Sequence, residues 1–316
     1  MHEIVLTEHD AGQRLDRYLR KLLAAVPLGA IFRHLRGGAI RVDGKKAEGS
    51  LRLVAGMCVS LRLPAADLPT VDASARPVAS AASNSSTRDM RRTPHTPRIV
   101  HRDDDVMVVV KPAGMASQPG TGQDHDLTRW VLSRPYGVRS ATFKPAPVHR
   151  LDRGTSGLVA IGLSPLGLRG LAAAFREDHA MKVYIAIVHG VPVPARGSID
   201  APLLQYDDAP TRSPKVVVDP AGKPARTDYE VVTSGRSRSQ LRLTLHTGRL
   251  HQIRAHLAHL GHPIVGDRRY GSPADVGRDV FLLHATELAF PHPRTGEMLV
   301  CKAPPPSIFA PQLAGD

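Results

Sequence analysis

The chain has 316 residues, 42% of them hydrophobic and 22% charged, with a formal net charge of +13. That length suits one large domain with a small one or two of medium size, and the basic excess favours a polyanionic partner. Two cysteines without CxxC spacing argue against a disulfide framework or a cysteine zinc site, Met1 to Glu8 does not read as a signal peptide, and no stretch approaches the roughly 18 apolar residues of a membrane span, so the expected place is the cytoplasm.

Residues 1–63 read as a small basic unit. Leu15, Leu19, Leu22 and Leu23 recur at helical spacing, with Arg14, Arg17, Arg20 and Lys21 around them. After Pro27 a second helical stretch carries Ile31 and Leu35, with Arg33 and Arg36 between, and stops at Gly37-Gly38. Short strand-like pieces follow at 39–42 and 57–61, the first closed by Asp43-Gly44. Between residues 11 and 50 there are nine Lys or Arg against three Asp or Glu, which fits a polyanion-binding face or a merely solvated one. The order of these pieces resembles the small RNA-binding module first described in a ribosomal small-subunit protein. Met57 departs from it, standing where that module usually has Asp.

Residues 64–97 are dominated by Pro, Ala, Ser, Thr and Asn without apolar periodicity, and are expected to be a flexible tether. From residue 98 to 316 the chain reads as one α+β domain, built on a mixed or antiparallel sheet flanked by helices. Strands are expected at 106–110, 157–161, 183–188 and 241–245, and helices near 124–134, 165–178 and 249–260.

Two segments can carry chemistry. In His149-Arg150-Leu151-Asp152-Arg153-Gly154-Thr155-Ser156-Gly157 a carboxylate lies between two arginines. The cations would keep Asp152 ionised, as an anionic nucleophile or base requires, but a loop ion pair has the same pattern. In 245–263 a strand runs through Thr247-Gly248 into a helix on which Leu250, Ile253, Leu257 and Leu260 share one face. Arg254 lies beside that stripe. It either snorkels to water or pairs with a carboxylate, and Asp152 is the inferred partner.

Histidines 246, 251, 256, 259 and 262 are scattered in helical angle, lack carboxylates at ligand spacing and sit beside Arg249 and Arg254. No metal site is expected, and the histidines read as polar surface positions. Ser156 lacks the G-x-S-x-G setting of a hydrolase nucleophile, and no glycine-rich phosphate cradle implies a nucleotide cofactor.

Taken in order, Lys111-Pro112-Ala113-Gly114-Met115, the segment 149–157, Lys182 to Gly190, Gly248 to His256 and Gly261 to Asp267 resemble the RluA-type pseudouridine synthases over roughly residues 98–300. The resemblance implies isomerisation of uridine to pseudouridine without cofactor or metal. Asp152 would act as nucleophile at C1′ or base at C2′. Tyr184 would stack on the target base, Arg254 would pair with Asp152, and Arg150 would fill the gap left by the flipped uridine. His149, Arg249 and His251, with Arg14, Arg17, Arg33 and Arg36 of the first unit, complete the expected RNA-contacting set. The favoured substrate is large-subunit ribosomal RNA. Transfer RNA, or a non-catalytic RNA-binding or ribosome-assembly role, is the alternative, and a monomer is expected. Arg153-Gly154, where relatives often carry an acid, and Gln118, where they often carry His, depart from the family pattern without touching the proposed chemistry.

Overall fold

The computed structural model describes residues 1–68, 96–120, 125–137, 140–208, 213–272 and 280–310. Most of the expected tether, 69–95, lies outside the described residues. The chain divides into two compact units, the first built from the N-terminal residues with Val131–Pro145 and Leu163–Pro165, the second from the rest.

In the first unit, β1 (His2–Val5), α1 (Leu15–Leu22), α2 (Leu28–Gly37), β2 (Ile40–Val42), β3 (Lys45–Lys46) and β4 (Cys58–Leu61) follow in chain order. The helical spacing buries Leu15, Leu19, Ile31 and Leu35 against Ile40, Val59 and Leu61 of an antiparallel sheet ordered β1-β4-β2-β3. Gly38, at φ 76°, ends α2 with its N–H donating to the carbonyls of His34 and Leu35. Asp43 and Gly44, both at positive φ, turn β2 into β3. Strand β1 was not foreseen, since its alternation is only four residues long. The buried Asp10 carboxylate accepts from the N–H and hydroxyl of Thr7 and from the hydroxyls of Ser140 (2.7 Å) and Thr142 (3.4 Å), which ties the 131–145 segment into this unit.

The second unit contains β5 (Arg98–Arg102), β6 (Val106–Lys111), most of α3 (Leu127–Leu132), β7 (Ala146–Pro147), β8 (Ser156–Gly162), all but the first residue of α4 (Pro165–Arg176), β9 (Met181–His189), β10 (Arg196–Asp200), β11 (Leu203–Asp208), β12 (Ser213–Val218), β13 (Arg226–Ser234), β14 (Arg238–Leu245), α5 (Gln252–His259), β15 (Leu283–Pro291) and β16 (Met298–Lys302). Its α+β architecture rests on a mixed sheet of ten strands ordered β10-β13-β14-β9-β15-β8-β6-β5, with β16 on β15 and β7 on β8. Among the described strands only β8 and β15 run parallel. The β-branched run of β6 and the whole of β8 are covered on both faces, so neither alternates in polarity. β8 also approaches β15 very closely: a Cβ on Gly157, at φ 118°, would lie 2.4 Å from the Ala285 carbonyl oxygen. That close approach accounts for the glycine closing the Thr155-Ser156-Gly157 run. Ser156, the weak hydrolase candidate, is buried beneath it and hydrogen-bonds His284 Nδ1 at 2.8 Å.

Candidate active site

Asp152 lies four residues before β8, at the centre of the large sheet, in a turn closed by the Thr155 N–H on its own carbonyl. The turn is held from both sides. The Ser117 hydroxyl donates to the Leu151 carbonyl (2.8 Å) and accepts from the Leu151 N–H (3.0 Å). On the other side the Gly114 N–H donates to the Arg153 carbonyl, and Arg153 Nε returns a bond to the Gly114 carbonyl. Beneath them Lys111, fully buried, spends its Nζ on the carbonyls of Pro112, Met115 and Arg153. Burial pulls the Lys111 pKa down to about 7, and the charge of Asp152 opposes that shift. This clamp gives Lys111 and Gly114 a role in holding the aspartate segment that their sequence pattern did not reveal.

The opposite wall comes from α5. Gln252 fixes its start: its amide donates to the Arg226 carbonyl and Thr227 hydroxyl, and its oxygen accepts from the Thr247 hydroxyl and the Arg249 N–H. Arg254, in the first turn, is buried and reaches Asp152, with Nη1 2.9 Å from Oδ2. The sequence pattern pointed to that partner but not to a second one. Asp267, 1% exposed, accepts from Nε at 2.7 Å and from Nη2 at 2.9 Å. The only signal for it was a carboxylate closing the Gly261 to Asp267 run. The rings of Tyr270 and Phe281 cover the guanidinium, with centroids 4.9 and 4.3 Å from Cζ. Burial works against the charged form of Arg254, but the bonds and charges of Asp267 and then Asp152 more than offset it, so its pKa rises.

A small pocket forms between these walls, lined by Arg150, Asp152, Thr155, Tyr184, Leu245, Arg249, His251 and Arg254 among others. Tyr184 projects from β9 and is 8% exposed; burial first and the charge of Asp152 second push its hydroxyl pKa up. His251 takes a left-handed backbone (φ 50°) that puts its Nε2 3.8 Å from Asp152 Oδ2, while Nδ1 meets the Tyr270 hydroxyl at 3.0 Å. Burial lowers the His251 pKa to about 4, so at neutral pH this approach is a polar contact rather than an ion pair. Arg150 and Arg249 are exposed at the rim.

Two expected positions lie elsewhere. His149 stacks on Phe175 (4.4 Å between centroids) and accepts from the Ala160 N–H, so its ring supports β8 instead of facing the pocket. Burial, with the charge of Lys182 adding, lowers its pKa to about 3. His256 corrects the expectation of surface histidines. It is fully buried, with Nδ1 on the Thr227 hydroxyl and Nε2 on the Ala201 carbonyl, both satisfied without water. Arg14, Arg17, Arg33 and Arg36 belong to the first unit, where all four are exposed. Among the described residues no group of three or more His, Cys, Asp or Glu could hold a metal ion, and no helix is long and apolar enough to cross a membrane.

The chain matches known proteins along most of its length. The family described as RNA pseudouridylate synthase matches residues 105–259, which takes in the Asp152 turn, Tyr184 and α5. Ribosomal large subunit pseudouridine synthase C of Vibrio vulnificus is 32% identical over 305 residues, covering 95% of this chain and 91% of that protein. The dual-specificity RNA pseudouridine synthase RluA of Escherichia coli is 41% identical over 209 residues, 65% of this chain and 92% of that one. Among solved structures, human RNA pseudouridylate synthase domain containing 1 superposes with a TM-score of 0.56 at 28% identity, over 69% of this chain and 86% of its own. The chain therefore belongs to the RNA pseudouridylate synthase family, as an enzyme of the RluA and RluC type.

Proposed function

We propose that this chain isomerises uridine to pseudouridine in large-subunit ribosomal RNA, with Asp152 as the reacting carboxylate. The observation that carries the reading is the state of that carboxylate. One oxygen is bonded to a buried, permanently charged Arg254, and the pocket beside it is bounded by an aromatic ring, Tyr184. Such a group is oriented by a fixed donor beside a stacking surface, as a nucleophile or base aimed at a ribose needs to be.

In the reaction the C1′–N1 bond breaks, the uracil turns within the pocket and C5 bonds to C1′; the proton lost from C5 is balanced by one gained at N1. Asp152 either bonds to C1′ and leaves again as C5 bonds there, or takes the C2′ proton and returns it, so its negative charge is restored by the time C5 sheds its proton. That charge is the smaller of the two influences holding the Tyr184 proton on its oxygen. The neutral phenol therefore serves as a stacking surface for the uracil. Arg150 and Arg249 at the rim suit the flanking phosphates or the gap in the RNA.

Residues 1–63 act as an RNA-binding module, 64–97 as a tether and 98–316 as the catalytic part, in a monomer working in the cytoplasm. The choice of large-subunit RNA is supported by the synthase C relative, which covers 95% of this chain and so extends across the basic N-terminal residues. Incubation with 5-tritiated-uridine transcripts in chelator tests the reading: tritium release is expected from large-subunit ribosomal RNA. Release from transfer RNA alone would move the substrate, and no release from any RNA would defeat the reading.

A further inference from the structure

The chemistry proposed for Asp152 raises a problem that Arg254 alone does not solve. Arginine and a carboxylate ordinarily pair through two parallel hydrogen bonds, which would occupy both oxygens of Asp152 and neutralise it. In this structure that does not happen: a second carboxylate takes one bidentate edge of the arginine, and Asp152 meets the guanidinium through a single bond. Asp267 accepts from Nε and Nη2, leaving Nη1 to bond Asp152 Oδ2. We propose that Asp267 is a positioning residue, which fixes the Arg254 guanidinium so that it gives Asp152 one hydrogen bond and leaves Oδ1 available for the ribose. This rests on the function proposed above.

Three features make Asp267 a fixed point rather than a passing partner. Its own N–H donates to the Ile264 carbonyl, and its carbonyl accepts from the N–H groups of Tyr270 and Ser272. The nearby Val265 N–H bonds to the Ile187 carbonyl on β9, the strand that carries Tyr184. The guanidinium it holds cannot tip out of plane, because Tyr270 and Phe281 lie over it. Charge leads to the same conclusion. Arg254 and Asp267 largely compensate each other in the buried layer, so Asp152 meets an oriented donor instead of a fully available cation and remains the net anion of the triad.

A purely structural ion pair would predict lost stability without a specific loss of chemistry. The two are separated by single-turnover tritium release at saturating enzyme, with RNA affinity measured by filter binding. For Asp267→Asn the expected result is a rate reduced about 30-fold with Kd within about twofold of the unaltered chain. Combining it with Arg254→Gln should cost no further rate beyond Arg254→Gln alone, because the effect passes through that side chain. Should Asp267→Asn not fold by thermal denaturation, Asp267→Glu keeps the charge while displacing it by one methylene, and the same split of rate from affinity is expected. A folded variant whose rate stays within about twofold of the unaltered chain, or whose defect lies in Kd with the rate intact, overturns the role. Additive rate reductions in the double variant overturn it too. Failure of the unaltered chain to release tritium would bring down the proposed function and this role with it, whereas release by the unaltered chain and Asp267→Asn alike removes only this role.

Discussion

The two units use positive charge in opposite ways. Arg254 of the second unit is only 8% exposed at its side chain, held by two carboxylates and capped by two rings. Arg14, Arg17, Arg33 and Arg36 of the first unit stand exposed on α1 and α2 or just before them, and of these Arg14 is held at 2.7 Å by Asp16. A buried cation is poorly screened and cannot reorient cheaply, so it can fix the geometry of one carboxylate. An exposed cation is screened within about 8–10 Å at physiological salt and can meet any phosphate that approaches. Under the proposed function chemistry falls to one region and affinity to the other, and the contrast can be broken by experiment.

The largest effect should come from Asp152→Asn. The side chain keeps its shape and a bond to Arg254 but loses the charge that attacks or deprotonates the ribose. Single-turnover tritium release should fall by at least about 1,000-fold while RNA affinity changes less than about threefold. A large fall in affinity would place Asp152 among the binding groups and blur the contrast between the units. Arg254→Gln comes next. It leaves Asp267 buried without its cation, which should cost about 3–5 kcal/mol in denaturant unfolding, together with roughly a 100-fold fall in rate. Unchanged stability would mean that water reaches Asp267 and that the site is not dry.

Acid should also act on the buried side of the contrast. Burial lowers His251 and His284 to about 4, with Asp152 opposing the shift in the first and the Ala303 carbonyl in the second. Both are neutral in the fold but take up protons near pH 6.5 once unfolded. Stability is therefore lost as pH falls below about 6.5 and stops falling near 4, at about 2 kcal/mol for each at pH 5. Urea unfolding at pH 7 and pH 5 reads this directly, and equal midpoints would mean that these rings are not held neutral.

How much of this was legible depends on whether a residue is placed by local pattern or by a return of the chain. The 3.6-residue spacing pointed to α1, α2 and α5, and it put Arg254 beside an apolar stripe where a guanidinium needs a carboxylate. β6, β8 and β9 were legible as apolar runs because both their faces are covered. Asp267 was not legible as a partner, since it reaches Arg254 from a loop whose path is set by β9, and no periodicity runs through it. Lys111 was legible only as part of a motif, since its burial depends on carbonyls from Pro112, Met115 and the distant Arg153 that meet around it. β15 was missed because its pairing with β9 shifts register between Ala285 and Glu287, which breaks the alternation that marks a strand. The burial of His256 likewise depends on strand β13 and the Ala201 carbonyl, which no neighbour in sequence announces.

The smallest effect should come from the first unit, and it sharpens the comparison most because it should differ in kind. Replacing Arg17, Arg33 and Arg36 together by Ala removes exposed charges from helices whose cores, Leu15, Leu19, Ile31 and Leu35, stay intact. Folding should be unaffected, and single-turnover release at saturating enzyme should stay within about twofold, since the Asp152 site is untouched. Affinity should fall several-fold at about 50 mM salt and less at 200 mM, with the slope of log K against log salt reduced by about 0.7–0.9 for each phosphate no longer neutralised. A slope unchanged by the triple variant would show that these arginines only solvate the helices, and the RNA-binding reading of residues 1–63 would fall. A lowered saturating rate would show instead that the first unit helps to shape the catalytic pocket, and the division of labour between exposed and buried charge would have to be abandoned.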